Sequence, residues 1–437
     1  MSTEARMPAE VDVCVIGSGL AGIAAALSAR QAGAQVVVLE ATERAGGKAK
    51  TVSGMECGPS SFNGRYEVFW QVLEQLGLKT EAIELPASAS TRYLARFGRL
   101  HTLKPSPLTL FSTGALTFSE KTALVRDALI PRDVQRDASL HDFFAARFGV
   151  SFAEGPLAAM ISGIFTGDPR RLAVDGCFPD LVERATAERS VIRGLMKGPK
   201  TGRKGLFTLK GGLGRMGEAA QKLLPIELDS PVRELTRDAN GFTVHARRVL
   251  HARCVVVATE AAAAAKLLWP VSPKLGAALG QLEYAPVTVV HWEGEETGFG
   301  PGFGYLACPS EALFAMGTMF HDQAGAPRRF RSFVRGVEAD DAQLSSGIDA
   351  DVKKLTGGRF GKLLRVDRWP HAVFQPTVEA LPVRATLPAL ADEAGVVLAG
   401  SHLGASAMKD ALASGLAAGK RAHQASQRTH AWSRSLS

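Results

Sequence analysis

The hexapeptide Gly17-Ser18-Gly19-Leu20-Ala21-Gly22 constrains this chain more than any other feature. It follows directly on an apolar, β-branched run, VDVCVI (11–16), and opens an alanine-rich stretch that reads as a helix to about Gln31. Gly33 ends that helix, and a second apolar run, AQVVVLE, closes on Glu40. Strand, tight turn, helix and strand within about thirty residues is the pattern that cradles a dinucleotide. Gly17 permits the turn, Gly19 lets backbone approach a pyrophosphate, and Gly22 allows close helix–strand contact. The helix N-terminus offers its unpaired N–H groups to phosphate charge. Glu40 stands 18 residues after Gly22, near the roughly 20 expected of the acid that accepts the ribose hydroxyls. Its charge would repel a 2′-phosphate.

The glycine turn alone does not separate NAD from FAD. The next stretch, Arg44-Ala45-Gly46-Gly47-Lys48 running on to Thr51, resembles the R-x-G-G-[RK]…T segment of FAD-dependent oxidases and desaturases. Near the other end, GVVLAGSHLGASAMKDALASGLAAGKRA (395–422) reads as a buried strand, a Gly400-Ser401 turn and a helix of small residues. In the same flavoenzymes such a unit returns to the first domain with its helix N-terminus toward the flavin. Together the two ends imply FAD.

At 437 residues the chain exceeds the usual size of one core, so more than one domain is expected. The fraction of apolar residues, 46%, is that of a globular protein. Five scattered cysteines without a C-x-x-C pair argue for a reducing compartment and against disulfides or structural zinc. The polar start MSTEARMPAEVD has no apolar segment of a signal peptide, and no run of about 18 apolar residues exists to span a bilayer. The expected location is cytoplasmic. The formal charge is +8, yet no basic block or zinc-finger spacing points to nucleic acid.

Residues 67–77 read as a helix ending in glycine, Ser139 to Asp142 as a capping box, and 152–165 as a further helix. Residues 89–205 carry 18 Lys/Arg against 11 Asp/Glu and read as a basic, mostly helical insert. Asn240-Gly241 between alternating stretches predicts a hairpin, followed by a buried strand at 254–259. Strands are expected at 286–293, 313–320 and 362–369, and a helix near 347–356.

Two longer segments, RYLARFGRLHTLKPSPLTLFST (92–113) and GIFTGDPRRLAVDGCFPDLVE (163–183), closely resemble the protoporphyrinogen oxidase family. GPSSF (58–62), SVIRGL (190–195), LKGGLGRM (209–216), EYAPVTVVH (283–291) and GFGYL (302–306) follow in that family's order. The resemblance implies an α/β protein. It would comprise a Rossmann-like, p-hydroxybenzoate-hydroxylase-like FAD domain (1–88, 206–282, 386–437), a mixed β-sheet substrate domain (283–385) and a helical membrane-binding insert (89–205). It implies cofactor contacts at Gly17, Gly19, Leu20, Ala21, Gly22, Glu40, Arg44, Gly46, Gly47, Lys48, Gly58, Pro59, Ser60, Ser61, Val232, Gly400, Ser401 and Met408. Arg92 takes the place of the arginine that pairs with a substrate propionate, and Gly163 that of a glycine lining the macrocycle.

The implied reaction removes hydride from a porphyrinogen methylene bridge, with molecular oxygen as final acceptor, and needs no acid–base residue. His101, His402 and Asp168 are therefore read as structural. The apolar run 107–118 within the basic insert suggests peripheral contact with the inner face of the cell membrane. Oligomeric state stays open, a homodimer included. Two stretches depart from the family. Phe374-Gln375-Pro376 lacks the following tyrosine and Gly-His, and His402 stands where asparagine is usual. Open alternatives are a coproporphyrinogen III oxidase, an amine oxidase or desaturase-type flavoenzyme, and a non-catalytic flavin- or porphyrin-binding homologue.

Overall fold

The computed structural model describes residues 10–103, 112–198, 202–321 and 328–435. The start of the chain and residues 107–111 of the apolar run 107–118 lie outside them. The chain forms a mixed α/β fold that divides into two compact units, the first of residues 1–84, 201–283 and 379–437, the second of 85–200 and 284–378.

In the first unit the strand Glu10–Ile16 is flanked in parallel by Val36–Leu39 and Val249–Val257. Ile226–Glu227 extends the sheet beyond Val36–Leu39. The far edge of Val249–Val257 is shared: Gly241–His245 pairs antiparallel with its first half, and Val397–Leu398 parallel with its end. The predicted hairpin is present, Glu234–Asp238 pairing with Gly241–His245. Val13, Cys14, Val15, Val37 and Val38 are fully buried, as a parallel sheet covered on both faces requires.

The helix Leu20–Gln31 is buried along Leu20 to Ala29. A helix apolar all round must be covered on several sides, and the long helix Met408–Ser435 supplies one of them. A Cβ on Gly415 would stand 2.2 Å from the Ala21 carbonyl oxygen, and one on Gly419 2.2 Å from that of Ala25. Ser28 Oγ donates to the Leu416 carbonyl at 2.8 Å. Ala413, one of the small residues of this helix, is exposed. The helix Glu67–Gln75 ends as expected, with Gly77 at φ +73°. The helix Ala380–Ala394 carries an internal proline, Pro388, and was not marked by its periodicity.

The second unit is built on a seven-stranded sheet in the order Lys362–Phe374, Tyr284–Glu293, Arg329–Arg335, Gly317–His321, Gly304–Ala307, Arg92–Arg96, Arg99–Leu103. Two strands from the basic stretch thus complete a sheet begun some two hundred residues later in the chain. The strand expected at 313–320 begins only at Gly317, because Phe314 and Ala315 donate their N–H groups to the Asp351 carboxylate at 2.9 and 2.8 Å. The helix expected near 347 starts at Asp341, under a capping box formed by Asp340 and Gln343. Ser139 caps Leu140–Phe148 by accepting from Asp142 N. Only half of the expected box forms, since the Asp142 carboxylate accepts from His141 Nδ1 at 2.9 Å instead. The predicted helix 152–165 is present with a wide turn at Ala153–Leu157, where Pro156 has no N–H to donate. All five cysteines are buried thiols outside any disulfide.

Candidate functional site

The parallel strands of the first unit end side by side. Gly17 N donates to the Leu39 carbonyl at 2.8 Å, Ala258 N to that of Ile16 at 2.8 Å, and Ala399 N to that of Val257 at 3.0 Å. Gly17, Glu40, Ala258 and Gly400 therefore share the carboxyl edge of the sheet, where ligands of open α/β sheets bind.

The glycine turn is tightly closed at one point and open at another. A Cβ on Gly22 would lie 1.9 Å from Gly17 O, whereas one on Gly19 would meet nothing within 4 Å. No side chain caps the helix that begins at Leu20, which leaves its first N–H groups without intrahelical acceptors. The Arg44–Lys48 loop lies directly on this turn. Gly19 and Gly46 form a bridge, Gly46 N donates to Ser18 O at 2.9 Å, and a Cβ on Gly47 would come within 2.9 Å of Gly19 Cα. Gly46 and Gly47 adopt φ +105° and +56°, a region glycine enters without penalty. The two glycine motifs noted separately in the sequence are one surface.

Glu40 is fixed before any ligand arrives. Its Oε2 accepts from Ser18 N and Oγ at 2.8 and 2.6 Å, its Oε1 from Thr42 N and Oγ1 at 3.0 and 2.8 Å. The two hydroxyls can rotate away and give up their places to a ribose diol, while the two backbone N–H groups hold the carboxylate. Ser230 N donates to Glu40 O at 2.8 Å, and the buried Ser230 Oγ has no hydrogen-bond partner among the described residues. Val232 follows two residues on. Uncapped N–H groups, open space at Gly19, a held carboxylate and an orphaned hydroxyl fit an adenine dinucleotide.

Further residues complete this edge. Arg44 turns its guanidinium onto the carbonyls of Ala45 and Gly47. Lys48 pairs with Glu260 at 2.9 Å, tying the loop to the end of Val249–Val257. A Cβ on Gly58, which opens Gly58-Pro59-Ser60-Ser61, would sit 2.0 Å from Lys48 O. Thr51 is a hub: its Oγ1 donates to Glu56 Oε2 at 2.7 Å and accepts from Gly214 N at 2.9 Å, while Glu56 Oε1 accepts from Leu213 N at 2.7 Å. Gly400 N donates to Ser414 Oγ at 3.0 Å, Ser401 opens a single helical turn, and Met408 starts the long helix against the core. Glu260, Glu56 and Ser230 were not singled out in the sequence. Only the flanking strands, whose pairings are remote, place them.

His402 is 2% exposed. Burial, with the charges of Lys48 and Arg384, lowers its pKa to about 4. The neutral ring is thus the native form. The stability it contributes is complete above pH 6.5 and is lost as pH falls toward 4, an expected change of about 3 kcal/mol. His402→Asn should flatten the fall in melting temperature between pH 7 and pH 5; an unchanged slope would place the acid sensitivity elsewhere.

In the second unit Arg92 is exposed, lies in no ion pair among the described residues, and has its Cζ 5.2 Å from the Phe303 ring centroid. Gly163 is exposed on the helix Ala158–Phe165, where an added Cβ would stand 2.3 Å from Leu306 Cδ2. The distinctive segment 163–183 is a structural node. Leu140 N donates to Leu172 O at 2.7 Å, Ala173 N to Pro376 O at 2.9 Å, and Arg335 Nη1 to Thr166 O. Gln375, in the stretch that departs from the family, is buried and donates to the Phe165 and Val373 carbonyls at 2.8 and 3.0 Å. Asp168 accepts from Arg170 N at 2.9 Å, and His101 Nε2 lies 3.0 Å from Arg96 O.

This fold and this carboxyl edge define a flavin-dependent oxidoreductase with FAD as its cofactor. The profile of the family described as flavin containing amine oxidoreductase matches residues 20–423, and the chain belongs to that family. Protoporphyrinogen oxidase of Homo sapiens is 28% identical over 386 residues, covering 77% of this chain and 80% of that protein. Coproporphyrinogen III oxidase of Propionibacterium freudenreichii subsp. freudenreichii is 27% identical over 431 residues, covering 83% and 81%. A crystal structure of a candidate protoporphyrinogen oxidase from Exiguobacterium sp. 255-15 shares the fold at a TM-score of 0.80 and 22% identity, covering 96% of this chain and 99% of that one. Among the described residues no helix is long and apolar enough to cross a membrane, and no cluster could hold a metal ion.

Proposed function

We propose that the chain oxidises protoporphyrinogen IX to protoporphyrin IX, with FAD held on a Rossmann-like first unit by the residues from Gly17 to Ser61, Val232 and the 400–408 turn. FAD, when bound, supplies the acceptor for hydride leaving a methylene bridge, and oxygen takes up the electrons over three rounds. The chain's own work is to hold a greasy macrocycle in one orientation. Arg92 carries this reading: an exposed guanidinium outside any described ion pair, beside an aromatic ring, suits a propionate on the rim of an apolar disc. The named oxidases of similar sequence support it. The Propionibacterium relative supports coproporphyrinogen III as the second reading, and porphyrin fluorescence after aerobic incubation with each porphyrinogen separates the two.

Arg92→Ala is expected to raise KM by about ten- to a hundredfold, the worth of one charge-assisted hydrogen bond, and to leave flavin content unchanged. An unaltered KM would remove Arg92 from the site.

A peripheral membrane contact of the second unit belongs to the same proposal. Phe118, Val125 and Leu129 are 83%, 39% and 73% exposed, and their spacing puts them on one face of the helix Phe118–Leu129. Asp127 fastens this helix to the next apolar tip, Leu195-Met196, by accepting from Ser190 Oγ and Ile192 N. The protein should pellet with anionic liposomes at low salt, and its staying in the supernatant would end the idea.

A further inference from the structure

One face of the second unit's sheet packs Trp292, Phe320, Phe330 and Val334 against the helix Asp341–Thr356. Alternate residues form the other face. Across it the strand register sets Arg92, Gly304, Met319, Arg331 and His291 in one row. With strands about 4.8 Å apart, Met319 stands about 10 Å and Arg331 about 14 Å from Arg92 along this row. The adjoining row is apolar at Leu306 and Phe333.

The two arginines differ in kind. Arg92 is exposed. Arg331 is 2% exposed; its Nη2 donates to Met319 Sδ at 2.9 Å, and its Cζ lies 4.9 Å from the Phe333 ring centroid. His321, two residues beyond Met319 on the same face, is uncharged at neutral pH, because burial, then Arg331 and His291, lower its pKa to about 3. Arg329 stands in register with Glu293. An anion on this row meets one available guanidinium, a gap at Gly304, and then a thioether.

We propose that Met319 is a specificity residue: by engaging Arg331 and presenting sulfur two strands along the row from Arg92, it makes the sheet favour a tetrapyrrole whose carboxylates gather on one edge over one with carboxylates on every ring. This rests on the porphyrinogen reading above. A carboxylate brought to Met319 would shed water and reach Arg331 only by displacing the sulfur from it, whereas a vinyl group would shed little.

The test titrates the FAD-loaded protein with protoporphyrin IX, which has two carboxylates on adjacent rings, and coproporphyrin III, which has four, following porphyrin fluorescence. The wild type is expected to bind protoporphyrin IX about tenfold or more tightly. Met319→Lys should move the ratio about tenfold or more toward coproporphyrin III, the worth of one charge-assisted hydrogen bond, and Met319→Leu, which releases Arg331 from the sulfur, should move it the same way by less. Flavin absorbance reports folding of each variant. Equal binding by the wild type, or an unmoved ratio in a yellow Met319→Lys protein, overturns the assignment. Should Met319→Lys fail to fold, the wild-type ratio alone decides. A yellow wild-type protein that binds neither porphyrin overturns the porphyrinogen reading itself, a different result from a flat ratio.

Discussion

Gly22→Val is expected to yield a colourless protein of greatly reduced stability. The added Cβ would lie 1.9 Å from Gly17 O and 2.9 Å from Gly17 C, both backbone atoms. The helix cannot back away, because its other side meets the long C-terminal helix at Gly415 and Gly419. With no room on either side, the cost should exceed the 1–3 kcal/mol of ordinary overpacking, at about 4 kcal/mol or more. Gly19→Ala provides the contrast. Gly19 has φ −63° and ψ 175°, which alanine adopts freely, and its Cβ would enter open space. That variant should melt like the wild type yet bind FAD more weakly, because a methyl group occupies room a pyrophosphate needs. The ratio of absorbance at the flavin band to that of protein checks both. A fully yellow Gly22→Val protein, or undiminished FAD affinity in Gly19→Ala, would contradict the assigned roles.

Glu120→Gln is the second large effect. Arg96 and Glu120 are 4% and 1% exposed and form a fork, Nη1 to Oε2 and Nη2 to Oε1, each at 2.8 Å. Arg96 also donates to Ala115 O, and Glu120 accepts from Thr117 N and Ser151 Oγ. Removing one charge strands the other in the interior, at an expected cost of about 3–5 kcal/mol. Replacing both by Arg96→Met with Glu120→Leu should recover much of it. Burial disfavours the Glu120 carboxylate, but the hydrogen bonds from Arg96, Ser151 and Thr117 outweigh it and bring its pKa down to about 2. The stability due to its ionised form is therefore complete above about pH 4.5 and lost as pH falls toward 2, about 3 kcal/mol in all. The melting-temperature gap between wild type and Glu120→Gln should narrow between pH 7 and pH 3; a constant gap would exclude the carboxylate charge as its source.

What the sequence made legible is what short-range physics decides. Gly33, Gly77 and Gly241 all take positive φ, and each stands where a helix end or a hairpin was read. The strand–turn–helix beginning at Glu10 and the acid at Glu40 lie within one local unit, so spacing alone locates them. The long-range pairings were hidden. Nothing near Thr51 announces that Glu56 will accept from Leu213, 157 residues away, or that Lys48 will meet Glu260. Gly304–Ala307 is too short to signal a strand, and it becomes one by pairing in parallel with Arg92–Arg96. The family segment 163–183 was distinctive without its reason being visible: the Leu172 and Thr166 carbonyls each receive a donor from a distant stretch, and a Cβ on Gly167 would stand 2.4 Å from Gln375 Oε1.

The interlock of Gly415 and Gly419 with the helix Leu20–Gln31 sets a timetable for biosynthesis. The earlier helix must wait, greasy side bare, until nearly four hundred further residues have left the ribosome. Maturation of this nucleotide cradle thus waits on synthesis of the long helix, and the nascent chain has to be kept from clumping meanwhile.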